Sequence, residues 1–151
     1  MPNQLNSSIA ELQDEVVDDF ALFDDWADKY AYIIEIGKKV APLPDSLKTE
    51  EYIVPGCQSR VWLIPSYDNG RVQFQANSDA FISGGLIALA VKVYSGHTPG
   101  EIISAPPDFI QKMDMSGNIS MARMNGLQSV INKIKYYAQG YQQAAKDRRE
   151  S

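Results

Sequence analysis

A chain of 151 residues favours one domain, and 44% hydrophobic residues give it enough apolar surface for a core without a disulfide or metal staple. A net charge of −5 argues against broad nucleic-acid binding, which needs a basic face, and 10% aromatics argue against disorder. The longest apolar stretch, residues 84–91, is far too short to cross a bilayer.

In chain order, Met1 to Ser8 show neither a basic start nor an apolar run. No secretory signal is read there, and a cytoplasmic chain is expected. Ser8-Ile9-Ala10-Glu11 has the spacing of a capping box, and Ile9, Leu12, Val16 and Phe20 recur at helical intervals. No Lys or Arg precedes Lys29, while eight acids fall between Glu11 and Asp28. These acids are either a solvated helix face or a contact surface for a basic partner. A second helix starts after Asp24 or Asp25, with Trp26, Tyr30, Ile33, Ile34 and Gly37 as its packed stripe. Lys38 and Lys39 suit its C-terminal end, and Ala41-Pro42-Leu43-Pro44 opens a loop.

The period then changes. Arg60 to Ile64 is rich in strand formers, and Arg71 to Gln75 alternates polar and apolar. Asp68-Asn69-Gly70 between them predicts a tight turn and an antiparallel hairpin. Ser78 or Asp79 is the expected cap of an apolar helix from Ala80 to Tyr94, ended by Gly96. Its small residues Ser83, Gly84, Gly85 and Ala88 allow close approach to the sheet. Thr98-Pro99-Gly100-Glu101 reads as a further helix start, Pro106-Pro107 as an interruption, and Ser120 to Ala138 as the last helix. Residues 1–7 and 146–151 are expected to be frayed tails. The sum is one α+β domain over 1–151, a small antiparallel sheet packed with helices.

Val54-Pro55-Gly56-Cys57-Gln58-Ser59 carries the chemistry. Pro55 fixes one backbone dihedral and Gly56 frees the next, which sets the only cysteine on a bend before a strand. Such a bend can offer a thiolate to a partner, with Ser59 and backbone N–H groups available to stabilise the anion. A buried structural cysteine is the competing reading. His97 is the conceivable base of a Cys–His pair, although its neighbours Gly96 and Thr98-Pro99 place it on a surface turn. One Cys and one His are too few for a closed protein-only metal or cluster site, so no metal or cofactor is expected.

Several segments together resemble a known family. Trp26 with Lys29 to Gly37 resembles W-x-x-K-Y-x-Y-I-I-E-L-G, and Val54 to Trp62 resembles the acceptor loop V-x-G-C-Q-S-x-V-W. Asn77-Ser78-Asp79-Ala80 with Gly85 to Ala88 resembles S-D-A…G-L-I-A, and Ile119 to Leu127 resembles L-S-x-x-R-x-N-G-L. The family is that of the SufE sulfur acceptors, which includes CsdE. The resemblance implies the α+β fold shared with U-type iron–sulfur scaffold proteins. It further implies that Cys57 accepts persulfide sulfur from a pyridoxal-phosphate cysteine desulfurase of the SufS or CsdA kind. The carrier would stimulate that enzyme and relay sulfur to a SufB-like scaffold for iron–sulfur cluster assembly. On this reading the chain is a monomer or weak dimer and not a free-standing enzyme, with no nucleic-acid or membrane partner. Gly56, Gln58, Ser59, Asp79 and Arg123 bind the partner or restrain the loop; for Arg123 a solvated position or a local salt bridge is the alternative. Ile36 and Ile119 stand where Leu is common, and Met121-Ala122 where Pro and Ser often occur, which bears on partner preference. A lone cysteine leaves no resolving thiol, so transfer must be intermolecular. An apolar resting pocket is expected to shield the persulfide, with the helix from Ala80 to Tyr94 as its wall. A thiol enzyme using Cys57 with His97, and a binding module with an incidental cysteine, remain as other classes.

Overall fold

The computed structural model describes residues 7–150. Its elements in chain order are α1 (Ile9–Phe20), α2 (Trp26–Lys38), β1 (Val61–Asp68), β2 (Arg71–Ser78), α3 (Phe81–Tyr94), α4 (Pro99–Ser104), α5 (Asp108–Lys112) and α6 (Met121–Glu150). Short 3-10 turns at Asp45–Leu47 and Glu50–Tyr52 occupy the connection from α2 to β1. The fold is α+β: helices around a two-stranded antiparallel sheet.

Local chemistry accounts for most boundaries. Ser8 and Glu11 close the capping box of α1, Asp25 accepts from the Asp28 N–H at 2.9 Å to start α2, and Thr98 with Glu101 repeats the box at α4. The strands pair from Val61 with Ser78 to Asp68 with Arg71. Asn69 (φ 53°) and Gly70 (φ 77°) make the left-handed turn that suits strand twist.

Helix α3 is the centre of the molecule. Ile82, Leu86, Leu89, Ala90, Val93 and Tyr94 are all buried, as expected of a helix apolar nearly all round. It packs on β2, α1, α2 and α6. Its crossing with α2 is built on glycine: a Cβ at Gly37 would overlap the Phe81 carbonyl, and one at Gly85 would overlap the Ile33 carbonyl. Buried Gln13 ties α1 to α5, donating to Pro106 O at 3.1 Å and accepting from the Phe109 N–H at 2.8 Å. The Lys135 ammonium on α6 donates to the carbonyls of Ile102, Ile103 and Ala105 at 3.0, 3.2 and 2.7 Å. It thereby caps the C-terminal end of α4, and the Tyr94 hydroxyl donates to the same Ala105 carbonyl at 2.9 Å.

Three expectations need correction. Neither Ser78 nor Asp79 caps α3: the N-cap is Ala80, with no side-chain cap bond. A short α5 follows Pro107, where only an interruption was expected. The last helix does not stop near Ala138 but continues to Glu150, taking in most of the charged stretch read as a tail. Gln143 donating to Asp147 at 3.0 Å supports those final turns at i,i+4 spacing. Of the N-terminal stretch, residues 1–6 lie outside the described residues, and the Ser7 carbonyl is held by the His97 ring at 2.8 Å. No helix among the described residues is long and apolar enough to cross a membrane.

Candidate functional site

Cys57 stands on a lobe closed at its base by two sets of contacts. The Val54 N–H donates to Val61 O at 2.9 Å. At the exit, the Arg60 N–H donates to Asp79 Oδ1 at 3.0 Å while the Asp79 N–H donates to Arg60 O at 3.2 Å. Asp79 therefore restrains the lobe through the backbone of Arg60, not by capping the next helix. At the tip, Gly56 has φ +87°, a conformation that glycine adopts without cost, and a Cβ there would press to 2.9 Å from Ser129 Oγ on α6. It is the left-handed φ that calls for glycine, since the Ser129 hydroxyl is a side-chain end that can turn aside.

The lobe lays the cysteine over a narrow cavity between α3 and α6. Ser83, Leu86 and Ile87 line one wall; Ala122, Arg123, Gly126 and Leu127 line the other, with Val61 and Gln58 completing it. Its volume is about 10 Å³, room for about one water-sized atom. The expected wall from α3 is there, and α6 supplies the second. Cys57 Sγ lies 3.6 Å from Gly126 O, in position for the thiol to donate to that carbonyl. A Cβ at Gly126 would stand 3.6 Å from Sγ, in ordinary van der Waals contact. Cys57 is half-buried, and burial alone pushes its thiol above the ordinary range. The Gly126 carbonyl and the burial both favour the neutral thiol over the thiolate.

The other predicted residues divide. Gln58 is exposed at the cavity mouth, and Ser59 is half-buried, its hydroxyl 3.4 Å from that of Ser83 and not directed to Cys57. The Arg123 N–H donates to Ser120 Oγ at 3.2 Å, fixing the start of α6. Its side chain lines the cavity, half-buried, and its Nε–H is buried with no acceptor. It is in no salt bridge among the described residues. His97 is only 2% exposed, contrary to the surface turn expected of it. Its Nδ1 lies 3.3 Å from Tyr94 O and its Nε2 2.8 Å from Ser7 O, so it has no part in activating Cys57. Sequence reasoning missed Ser83 as a site residue. No local signal marks it, because only the packing of α3 against α6 brings it to the cavity.

Gly56 thus presents one thiol over an atom-sized cavity, and comparison with known proteins gives the family. The sequence pattern of SufE, described as an Fe-S metabolism associated domain, matches residues 14–138. This chain belongs to the SufE family. An uncharacterised SufE-like protein of Rhizobium meliloti is 37% identical over 132 residues, covering 84% of this chain and 94% of the relative. Another from Rhizobium etli is 37% identical over 127 residues, covering 81% and 86%. Among solved structures, a hypothetical protein from Thermus thermophilus superposes with a TM-score of 0.69 at 17% identity, covering 85% of this chain and 94% of the other. That likeness concerns the fold alone. Membership of SufE ties the chain to iron–sulfur metabolism.

Proposed function

We propose that this SufE-family chain is a sulfur acceptor and carrier whose Cys57 takes persulfide sulfur from a pyridoxal-phosphate cysteine desulfurase. It stimulates that enzyme and relays sulfur to an iron–sulfur cluster scaffold. The observation that carries the reading is Cys57 held by Gly56 over a cavity of about 10 Å³, the size of one added atom. In the transfer, the Cys57 thiolate attacks the terminal sulfur of the donor's persulfide. One S–S bond forms on Cys57 as the donor's S–S bond breaks, and the proton released by Cys57 passes to the departing donor thiolate. Electrons balance without an external oxidant. The single cysteine cannot resolve its own persulfide, so onward transfer requires a second partner.

Protection and delivery make opposite demands on the loop. In the resting state the sulfur is tucked between α3 and α6; in the complex the lobe must swing outward toward the donor. Asp79 restrains the resting lobe, Gly56 gives it freedom to bend, and Gln58, Ser59 and Arg123 are the docking contacts beside it. A thiol enzyme relying on His97 is disfavoured by that ring's bonds to Tyr94 O and Ser7 O. The chain is accordingly a transfer partner rather than a free-standing enzyme, acting in the cytoplasm.

The test is sulfide release by a cysteine desulfurase with and without the chain. Parent protein should stimulate turnover, Cys57→Ser should fold with an unchanged melt and fail to stimulate, and Arg123→Ala should bind more weakly by calorimetry. Full stimulation by Cys57→Ser sinks the proposal.

A further inference from the structure

The cavity beneath Cys57 is built asymmetrically, and the asymmetry fits a loaded sulfur better than an empty one. On the α6 side the sulfur meets a carbonyl, Gly126 O at 3.6 Å. A thiol can donate its S–H there. A persulfide is a stronger acid than the thiol it grows from and is anionic at neutral pH. As an anion it has no proton to donate and is repelled by a carbonyl oxygen. Loading therefore converts a need for an acceptor into a need for donors.

Donors stand ready on the cavity's other surfaces. Ser83 lines the cavity from α3, and its hydroxyl lies 3.4 Å from that of Ser59, two positions beyond the cysteine. Each hydroxyl carries one proton, and neither has another hydrogen-bond partner among the described residues. Whichever donates to its mate, the other's proton remains uncommitted. Independently, Arg123 contributes a buried Nε–H without an acceptor to the same cavity. Buried donors are rarely left unmatched, and this cavity holds one, the Arg123 Nε–H, beside the half-buried hydroxyl pair and around a space of one atom.

We infer that the Ser59–Ser83 hydroxyl pair donates a hydrogen bond to the terminal sulfur of the Cys57 persulfide, with Ser83 as the contacting group. The inference rests on the reading that Cys57 carries persulfide. The empty thiol is held by Gly126 O and the loaded anion by the hydroxyl pair, so the two states of the carrier have different partners.

The experiment loads the full chain chemically, which separates this inference from the desulfurase reading. With sodium polysulfide, the Cys57 thiolate attacks a sulfane sulfur. An S–S bond forms on Cys57, an S–S bond of the polysulfide breaks, and a polysulfide dianion one sulfur shorter leaves. The pH dependence of alkylation is then measured by mass spectrometry for the loaded persulfide and for the unloaded thiol. In Ser83→Ala the persulfide midpoint should rise by about one pH unit, equivalent to about tenfold slower alkylation below it, the size expected for losing one hydrogen bond to a charged group. The thiol midpoint should stay where it is in the parent, and Ser83→Thr should restore the persulfide profile. An unchanged persulfide midpoint in Ser83→Ala overturns the inference. So does an equal shift of thiol and persulfide, which marks a packing effect. Loading by polysulfide with the expected shift, but no transfer from a desulfurase, refutes the proposed function and leaves the inference standing. Desulfurase loading with an unshifted profile refutes the inference alone.

Discussion

Replacing Asp79 by alanine tests how firmly the resting lobe is held. The side chain supplies one of the two contacts between Asp79 and Arg60, the Arg60 N–H to Oδ1 bond at 3.0 Å. The backbone bond from Asp79 N–H to Arg60 O at 3.2 Å survives the substitution. A hydrogen bond to a carboxylate contributes about 1.5–3 kcal/mol when well buried, but Asp79 is exposed and water replaces part of it, leaving ~1 kcal/mol. If that loss falls on the tucked state alone, the open population rises about fivefold. The assay is the iodoacetamide rate of Cys57 at one fixed pH, beside hydrogen exchange over residues 54–62. Asp79→Ala should alkylate up to about fivefold faster, with faster exchange in the lobe and unchanged exchange in α6. Asp79→Asn, which keeps an acceptor oxygen, should fall between. Parent-like alkylation and exchange in Asp79→Ala would mean that this contact does not restrain the lobe. A parent thiol that reacts as fast as free cysteine would refute the tucked state itself.

Other outcomes follow from the same geometry. The burial-raised Cys57 thiol should show an alkylation midpoint above the ~8.5 of a free cysteine. Because the folded-state value is the higher one, the stability contributed by the neutral thiol is present below the unfolded value and is lost as pH rises through the folded one. A midpoint at or below that of free cysteine contradicts this. Lys135→Met removes three bonds to the carbonyls of α4 and should destabilise by about 2 kcal/mol in urea; a change under ~0.5 kcal/mol would refute the clamp. Gly85→Ala drives a Cβ into the Ile33 carbonyl and should lower the melting temperature markedly, whereas Gly140→Ala, whose Cβ meets nothing within 4 Å, should not.

The helix starts were the most legible part of the fold, because a cap is a local event. Ser8 with Glu11, Asp25, and Thr98 with Glu101 act within three residues of themselves, and the structure uses them as read. Asn69-Gly70 was equally local. At Asp79 the same logic failed: its carboxylate found the Arg60 N–H, 19 residues away in sequence, in preference to the helix that follows it. His97 misled for a similar reason, since a turn sequence gave no sign that the chain's beginning would fold over its ring. In α6, Gly140 and the glutamines around it blur the apolar period, although nothing in them stops a helix supported by tertiary packing. For the site, Cys57 and Gly56 could be read from residue type and neighbours. Ser83 and the Gly126 carbonyl could not, because they join Cys57 only when α3 and α6 close over the cavity.

The central claim is that Cys57 carries sulfur. The direct measurement incubates the chain with a cysteine desulfurase and cysteine, alkylates and digests it, and weighs the peptide that contains Cys57. The account predicts added sulfur on that peptide, removed by a thiol reductant and absent in Cys57→Ser. A Cys57 peptide that stays unmodified while the desulfurase itself accumulates persulfide would contradict it.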